Sequence, residues 1–472
     1  MRISHRIIIP LIVLVLATLA CSLPGQSTPS PKDIEDQVAT AASGTLTALA
    51  PMETALTPEE SVAVETATET PTPAPVVEDT PTPAGPPALR LVFTNRDGNL
   101  FTWEEGGSPV LLVNSGDVND VVLSPDGEWI TFTRTTADYI DISLWAIRFD
   151  GTTEHVLVNH AEFMGMPLHP AISSATVSTI APWMMKFVPG THTLAFMTRP
   201  IFEGPGFFDN KDLWLVDVET SNRSALLAAG QGGHFYYNPH GNQIALVTAT
   251  DISLINADGS NRRSSILVYP VVATYSEYDY HASPLWAPDG SFLRVTIPPS
   301  DPLGDLSALT SIYQLPIDGS PAILLGSLNM LPLEEGQFSP DLNHLAFLQP
   351  IGALEDNNRA LIFTNFEGGD PVEIARGSLS FIAWAPDSNH FAYGNLSPRA
   401  VSLGQLNAAG TTLVDANPAG DLRWISDNRY FFFYQVNPEW QLRLGTLGNP
   451  STVIANLGVD MAHFPGYDFV TP

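Results

Sequence analysis

Among the side chains of this sequence whose types suit a metal ion, three histidines and one glutamine stand out by their positions. His234, His281 and His463 each lie at or near the start of a short apolar segment, and Gln337 has a comparable position. Imidazole nitrogens are common ligands of divalent metals. The proline of the following turn lies five, seven and two residues after these histidines, so we expect them at different depths. This difference favours surface or packing roles for the histidines and leaves a divalent metal as the alternative.

A second candidate is the segment of residues 200–209, a binding loop that carries Phe202, Phe207 and Phe208 between glycines and prolines. Loops held by a rigid scaffold often carry binding residues, and exposed aromatic clusters often contact partners. The alternative is that this loop folds back over its own part of the domain. The stretch 275–281, with Glu277 and Asp279, is a weaker candidate for contact with a cation or a basic ligand.

The sequence lacks the motifs of several common enzyme classes. The sequence has no G-x-S-x-G elbow, no P-loop, no G-x-G-x-x-G before a helix and no H-E-x-x-H. Cys21 is the only cysteine, which excludes a disulfide within the chain and a zinc site built on several cysteines. With 50 acidic and 20 basic residues the formal net charge is -30, which disfavours binding to nucleic acid. We therefore assign no catalytic residue.

The elements that must position these residues are short strands. From residue 89 onward, apolar runs alternate with turn signals, most clearly Ser-Pro-Asp-Gly at residues 124–127 and Ala-Pro-Asp-Gly at residues 287–290. The prolines of such turns recur roughly every 50 residues, a period typical of four-stranded propeller blades, at Pro125, Pro189, Pro239, Pro288, Pro340 and Pro386. The pattern predicts an all-β fold, a β-propeller of eight blades, or of seven if the divergent region 160–200 is an insertion.

The two ends of the repeat region are expected to meet. Seven units begin near residues 118, 178, 232, 281, 334, 378 and 420, and three further strands precede them at 89–94, 99–104 and 110–114. Residues 460–465 resemble the missing innermost strand of that first unit. The pattern therefore predicts ring closure between the two ends. We expect the tryptophans within or beside strands to pack the blades; these are Trp129, Trp145, Trp214, Trp286, Trp384 and Trp424.

The repeats resemble the TolB-like and WD40-like (PD40-type) propeller repeats of bacterial envelope proteins, whose recurring phrase is Trp-Ser-Pro-Asp-Gly. The resemblance covers nearly all of residues 89–472 and implies a fold without an activity. Some propeller enzymes, notably oligogalacturonate lyases, hold a divalent metal in the channel through several histidines and a glutamine. In the metal alternative, this resemblance implies the same role for His234, His281, His463 and Gln337.

The N-terminal residues 1–21 are typical of a secretory signal. Arg2 and Arg6 precede an apolar stretch, residues 7–20, that is shorter than the about 20 residues needed to span a bilayer. The stretch ends in Thr-Leu-Ala-Cys, which resembles the lipobox of bacterial lipoproteins and implies lipidation of Cys21. Residues 22–88 contain no aromatic side chain and are rich in Thr, Pro, Ala and Glu, which predicts a disordered linker.

These features together predict a function in the bacterial cell envelope. We expect a monomeric, extracytoplasmic lipoprotein that is held at a membrane by its N-terminal lipid. Its propeller is expected to serve as a non-catalytic binding or scaffolding module for a protein or glycan partner, without nucleic acid and without a cofactor. The alternatives are a carbohydrate-active lyase or hydrolase with a metal in the channel, and a solute-binding or sensor component.

The lipid anchor is testable by growing expressing cells with a radioactive fatty acid. We expect label on the wild-type chain and none on the Cys21→Ala variant, because the thiol is the acceptor of the lipid. The label is read by autoradiography of the purified protein. Equal label on both chains, or none on the wild type, would contradict the anchor.

Overall fold

The computed structural model describes residues 88–471, apart from 137–138, 204–208, 277, 398, 409, 415–418, 437 and 460–462. The predicted signal segment with Cys21, and the predicted linker up to residue 87, lie outside the described residues. Across the part of the chain that is described, no helix has the length and apolar character needed to cross a membrane.

Eight antiparallel sheets of four strands each form the blades, which confirms the predicted eight-bladed β-propeller. Blade 1 combines the last strand of the chain, β32 (Tyr467–Val470), with β1 (Arg90–Thr94), β2 (Leu100–Glu104) and β3 (Val110–Val113). Blade 2 consists of β4 (Val118–Leu123), β5 (Trp129–Thr135), β6 (Ile142–Arg148) and β7 (His155–Val158). Blade 3 consists of β8 (Val177–Phe187), β9 (Thr193–Phe202), β10 (Leu213–Asp217) and β11 (Arg223–Leu227). Blade 4 consists of β12 (His234–Tyr237), β13 (Gln243–Val247), β14 (Asp251–Asn256) and β15 (Arg263–Val268).

The second half of the ring repeats this order. Blade 5 consists of β16 (Leu285–Trp286), β17 (Phe292–Ile297), β18 (Thr310–Pro316) and β19 (Ile323–Leu328). Blade 6 consists of β20 (Gln337–Phe338), β21 (His344–Pro350), β22 (Arg359–Asn365) and β23 (Val372–Gly377). Blade 7 consists of β24 (Leu379–Trp384), β25 (His390–Leu396), β26 (Arg399–Gln405) and β27 (Thr412–Leu413). Blade 8 consists of β28 (Ala419–Trp424), β29 (Arg429–Val436), β30 (Glu439–Thr446) and β31 (Asn449–Gly458).

The divergent region 160–200 belongs to the ring. After a short helix α1 (His160–Met164) and a 3₁₀ turn (Ser174–Thr176), it contains β8 and most of β9, the first two strands of blade 3. A second 3₁₀ turn, Leu354–Asp356, joins β21 to β22. The alternative of seven blades is therefore wrong.

The Pro-Asp-Gly turns join the first strand of a blade to the second. In blade 2, the Ser124 hydroxyl donates to Asp126 (2.6 Å) and accepts the backbone N–H of Trp129 (2.9 Å). Gly127 has φ +72°, and a Cβ there would lie 2.8 Å from Val470 of blade 1. Glycine is thus required both by the turn and by the close approach of the neighbouring blade.

A repeated hydrogen bond links successive blades. The tryptophan at the end of an innermost strand is buried, and its indole nitrogen donates to a backbone carbonyl of the preceding blade. The pairs are Trp286 to Tyr236 (3.0 Å), Trp384 to Gln337 (2.9 Å) and Trp424 to Ala383 (3.4 Å). These three residues and Trp129 are buried, while Trp145 and Trp214 are partly buried, which confirms the predicted packing role.

The ring closes through the pairing of β32 with β1. The two strands run antiparallel, with Arg90 opposite Val470 and Phe93 opposite Tyr467. The predicted closure is confirmed, but the strand assigned to it, residues 460–465, is wrong. Pairing with β1 starts at Gly466, whose carbonyl accepts the N–H of Thr94 (2.9 Å). Pro465 has no N–H to offer, and the Phe-Pro-Gly sequence that resembles a turn after a strand lies just before one.

Tyr467 connects β32 to the last blade as well as to the first. Its ring belongs to one buried cluster with Leu91 and Phe93 of blade 1 and Phe431 of blade 8. Its carbonyl accepts a hydrogen bond from Arg423 Nη1 (2.7 Å), and the same guanidinium lies 4.4 Å from the centre of the tyrosine ring. The hydroxyl donates to the carbonyl of Asp421. This single side chain therefore spans the seam of the ring.

Shortening the chain tests the seam. A chain that ends at residue 465 should unfold at a much lower temperature than wild type, because blade 1 loses its innermost strand. Tyr467→Ala should lower the free energy of unfolding by about 3–5 kcal/mol, as for other large buried aromatic residues. A chain that ends at residue 470 is the matched control and should keep the wild-type melting temperature. A wild-type melting temperature for the chain that ends at 465 would contradict the closure.

His192 links blades 2 and 3 at their surface. It lies in the turn between β8 and β9, where Nε2 contacts Asp126 of blade 2 (2.5 Å) and Nδ1 contacts Glu219 (2.7 Å). Partial burial lowers the pKa of His192, but the hydrogen bonds and charges of the two carboxylates outweigh this effect and raise it above its ordinary value of 6.5. Both ring nitrogens donate only in the protonated imidazolium. The bridge is therefore strongest when His192 is charged.

The stability of the wild type relative to His192→Gln should depend on pH. Because the folded-state pKa is raised, the contribution of His192 is fully present below pH 6.5 and is lost as the pH rises through the folded-state pKa. We expect a difference in the free energy of unfolding of up to about 1 kcal/mol, since the bridge is partly exposed. Denaturant titrations at pH 6 and above measure it. A difference that stays constant with pH would contradict the bridge.

Candidate functional site

The candidate site is a cavity of about 380 Å³ formed by residues of blades 3 and 4 and of the segment that leads into blade 5. Its lining combines charged, imidazole and aromatic side chains, among them Trp183, Arg199, Asp209, Lys211, His234, Asp279 and His281. A larger cavity of about 930 Å³ shares Trp183 and Arg199 with it and is lined by the innermost strands of blades 2 and 3. The volumes of both cavities lie within the range of about 300–1,000 Å³ usual for small-molecule sites.

Asp209 and Lys211 are held in place by their buried neighbours. Asn210 donates to the hydroxyl of Thr198 on β9 (2.8 Å) and to the carbonyl of Pro167 (2.7 Å). Asp212 accepts both the N–H (2.8 Å) and the hydroxyl (2.6 Å) of Thr198. Buried polar side chains with satisfied hydrogen bonds rigidify their surroundings. The segment that carries Asp209 and Lys211 is therefore fixed to the second strand of blade 3.

The two histidines come from the following blades. His234 is the first residue of β12 and pairs with Val247 of β13. The preceding Gly233 approaches β13 so closely that a Cβ would collide with the carbonyl oxygen of Val247. His281 lies between Tyr280 and Ala282, which are both buried in the core around blades 4 and 5. Neighbouring blades thus place both imidazoles at the same cavity.

His234 contacts both Asp209 and His281. His234 Nε2 lies 3.1 Å from Asp209 Oδ2, and the rings of His234 and His281 stack with centroids 4.0 Å apart and planes 14° from parallel. One potential ligand atom from each residue lies within 4.8 Å of the other two. His281 Nε2 is buried and has no hydrogen-bond partner in the described part of the chain. Two imidazoles and a carboxylate form a donor set suited to divalent transition metals.

Burial and charge set the protonation of this group. Burial raises the pKa of Asp209, but the hydrogen bond of His234 and the charges of His234, His281 and Arg199 lower it below its ordinary value. Burial and the neighbouring His234 lower the pKa of His281 to about 4. At neutral pH the site therefore presents a carboxylate and a neutral His281 imidazole, which are the forms that ligate metals.

The rest of the cavity can bind charged or planar groups. The guanidinium of Arg199 lies 4.0 Å from the ring centre of Trp183, a close cation–π contact. Lys211 adds a positive charge, and the exposed Asp279 adds a negative one. The cavity therefore offers charges of both signs beside an aromatic ring, which suits a polar ligand better than an apolar one.

The structure brings together two of the four predicted metal ligands. His234 and His281 meet in the cavity. His463 instead lines the larger cavity, where its Nδ1 lies 3.3 Å from Asn119. Gln337 is exposed at the start of β20, and its backbone carbonyl accepts the indole N–H of Trp384.

The candidate binding loop contributes in a different way from the prediction. Phe202 is the last residue of β9 and is partly buried, while Phe207 and Phe208 lie outside the described residues. Asp209, at the end of that loop, is the residue that reaches the histidines. The acidic stretch 275–281 reaches the same cavity through Tyr278, Asp279 and His281.

Sequence reasoning missed Asp209 as a member of the cluster with the two histidines, and missed Trp183, Arg199 and Lys211 as lining residues. Asp209 and Lys211 flank Asn210, and the polar run of residues 209–212 after an apolar loop was the available signal. Trp183 and Arg199 lie on the adjacent strands β8 and β9. In that pair of strands Trp183 is opposite Met197, and Arg199 is opposite Ala181. That pairing depends on a register shift within β8, which the sequence pattern does not reveal.

No protein-family model matches the sequence. No curated protein matches it either. Among solved structures, a prolyl endopeptidase is similar over 75% of this chain and 50% of its own, with 12% identity and a TM-score of 0.45. This chain thus spans about half the length of that enzyme.

Two further structures match with larger shares of their own chains. The putative TolB from Agrobacterium tumefaciens is similar over 52% of this chain and 88% of its own, with 11% identity and a TM-score of 0.32. The propeller domain of the trilobed protease from Pyrococcus furiosus is similar over 58% and 85%, with 11% identity and a TM-score of 0.39. The chain is an eight-bladed β-propeller, and at these identities its likeness to the solved structures is one of fold alone.

Proposed function

We propose that this chain is an extracytoplasmic lipoprotein of the bacterial cell envelope whose propeller is a non-catalytic binding module. The observation that carries the proposal is the convergence of Trp183, Arg199, Asp209, His234 and His281 on one cavity of the ring. Largely preformed cavities with a few converging polar groups are the usual places for ligand binding. Titratable groups with shifted pKa values in such a cavity are a further mark of a functional site.

The proposed location and partners rest on the sequence. The signal-like N-terminus with Cys21 supports a lipid anchor, and the linker of residues 22–88 supports a propeller held away from the membrane. The formal net charge of -30 supports a cationic or neutral protein or glycan partner and disfavours nucleic acid. A monomeric propeller can present the cavity to a partner in the envelope or to a diffusing solute.

A second candidate function is a carbohydrate-active lyase or hydrolase that uses a metal in the channel. The cluster of Asp209, His234 and His281 favours it, since a divalent metal with open coordination positions can act as a Lewis acid. Of the four-residue ligand set from which this alternative came, His463 lines a different cavity and Gln337 is exposed at the start of β20. Only the three-residue cluster remains to support this alternative.

Photo-cross-linking in intact cells tests the binding module. A photoreactive amino acid at Tyr278, which lines the cavity, should yield a specific cross-linked product in cells of the organism that makes the protein. The same amino acid at Leu324, an exposed position on the outer strand β19, should not. Trp183→Ala should reduce the Tyr278 product several-fold, because it removes one wall of the cavity. Products are identified by mass spectrometry.

Two outcomes would contradict the proposed function. Equal cross-linking at positions 278 and 324 would show that contacts are not concentrated at the cavity. If Trp183→Ala leaves the amount of the Tyr278 product unchanged, the partner does not bind in the cavity. Thermal unfolding of each variant controls for loss of the fold.

A further inference from the structure

We infer that Asp209, His234 and His281 form a binding site for one divalent first-row transition metal ion, with Zn²⁺ as the probe. The inference deepens the proposed function, because it assigns a ligand to the same cavity. It differs from the sequence-based metal alternative in its ligands, since it includes Asp209 and excludes His463 and Gln337.

The positions of the donor atoms support the site. The three ligand atoms lie within 4.8 Å of one another in the structure. Zinc bonds to nitrogen and oxygen of about 2.0–2.2 Å place neighbouring ligand atoms roughly 3.4 Å apart in a tetrahedral site. Closing the difference requires movements on the order of 1 Å. Because the two imidazole planes are only 14° from parallel, one ring must also turn about χ2 before both nitrogens can face one metal ion. Three protein ligands leave one tetrahedral position for water or an external ligand.

The buried nitrogen of His281 is a second, independent observation. A buried polar atom without a hydrogen bond costs about 1–3 kcal/mol. His281 Nε2 is such an atom within the described part of the chain. His281 nevertheless lies between the buried residues Tyr280 and Ala282 in the sequence, and its ring stacks on His234. A metal ion bound in the cluster would give this nitrogen a partner and so offset the cost of burying it, which packing of the ring alone does not do.

The other histidine–carboxylate cluster in the described residues shows what a structural role looks like. Asp126, Glu128 and His192 also lie close together. There both nitrogens of His192 contact carboxylates, and the carboxylates are well exposed to water. In that cluster the carboxylates already provide partners for both imidazole nitrogens, and the group serves as an ion bridge between blades. In the Asp209 cluster, the carboxylate contacts His234, and the buried Nε2 of His281 has no hydrogen-bond partner in the described part of the chain.

Charges of both signs surround the cluster, so we expect a moderate affinity for the metal ion that substitutions of these charged residues can raise or lower. Asp209 and Asp279 favour a cation, whereas the positive charges of Arg199 and Lys211 oppose it. The charge of Lys211 acts on His281 and that of Arg199 acts on Asp209. Removing the charge of Lys211 should therefore increase the affinity for Zn²⁺, while removing a ligand should decrease it. A packing or surface role of the histidines predicts neither change.

Calorimetric titration of the purified full chain with Zn²⁺ tests the site. We expect one equivalent to bind to the wild type, with affinity reduced at least about 100-fold in His234→Ala and His281→Ala and at least about 10-fold in Asp209→Asn. Lys211→Met should bind several-fold more tightly than wild type. His463→Ala is the matched control, since this histidine lies at the neighbouring cavity, and should bind as wild type does.

A second readout protects the test against misfolded variants. Zn²⁺ should raise the melting temperature of the wild type and of His463→Ala but not of His281→Gln, because only a metal bound to the folded state stabilises it. The inference is overturned if the wild type does not bind Zn²⁺, if folded His281→Ala or His281→Gln binds as tightly as wild type, or if His463→Ala loses binding equally. If the wild type does not bind Zn²⁺ but still cross-links at Tyr278, the metal site is overturned and the binding module stands.

Discussion

The pairing of β32 with β1 is the interaction on which the rest of this structure depends. Each blade is a small twisted sheet whose two faces pack on its neighbours, so no blade buries its apolar surface alone. Blades 1 and 8 meet through one buried cluster that includes Phe93, Phe431 and Tyr467. Without the last strand, blade 1 would expose the edge of β1 and the wall of this cluster. An exposed edge strand invites pairing with other chains, and closure removes it.

The candidate site follows from the same constraint. Asp209 belongs to blade 3, His234 begins blade 4, and His281 lies on the approach to blade 5. These three side chains meet because successive blades are held side by side, with hydrogen bonds such as that from Trp286 to the carbonyl of Tyr236 (3.0 Å) between blades 5 and 4. The cavity is thus a product of blade packing, and these three side chains lie more than 20 residues apart in the sequence.

Most of the fold was predictable because turn chemistry is local. Turns that contain proline recur in blades 2 to 7, and their period correctly predicted eight blades. The starts of the innermost strands of blades 2 to 8 were predicted to within about four residues. The closing strand was misplaced, since Phe464, Pro465 and Gly466 imitate a turn whose geometry they do not adopt. Only the pairing of Tyr467 with Phe93, across the whole chain, identifies that strand.

The site was predictable only in part. His234 and His281 could be chosen by their place at the start of blades, but the same rule also selected His463 and Gln337, which lie elsewhere. Asp209 could not be chosen, because its position depends on the buried bonds of Asn210 and Asp212 to Thr198. Such long-range polar contacts leave no periodic trace in a sequence, whereas strands and turns do.

Hydrogen–deuterium exchange of the intact protein tests the closed ring most directly. Amides of residues 467–470 and 90–94 should exchange slowly and together, as protected as the inner strands of the other blades, because they form one sheet. Rapid exchange of residues 467–470, at the rate of exposed loops and with the remaining blades still protected, would show that the ring is not closed by this strand.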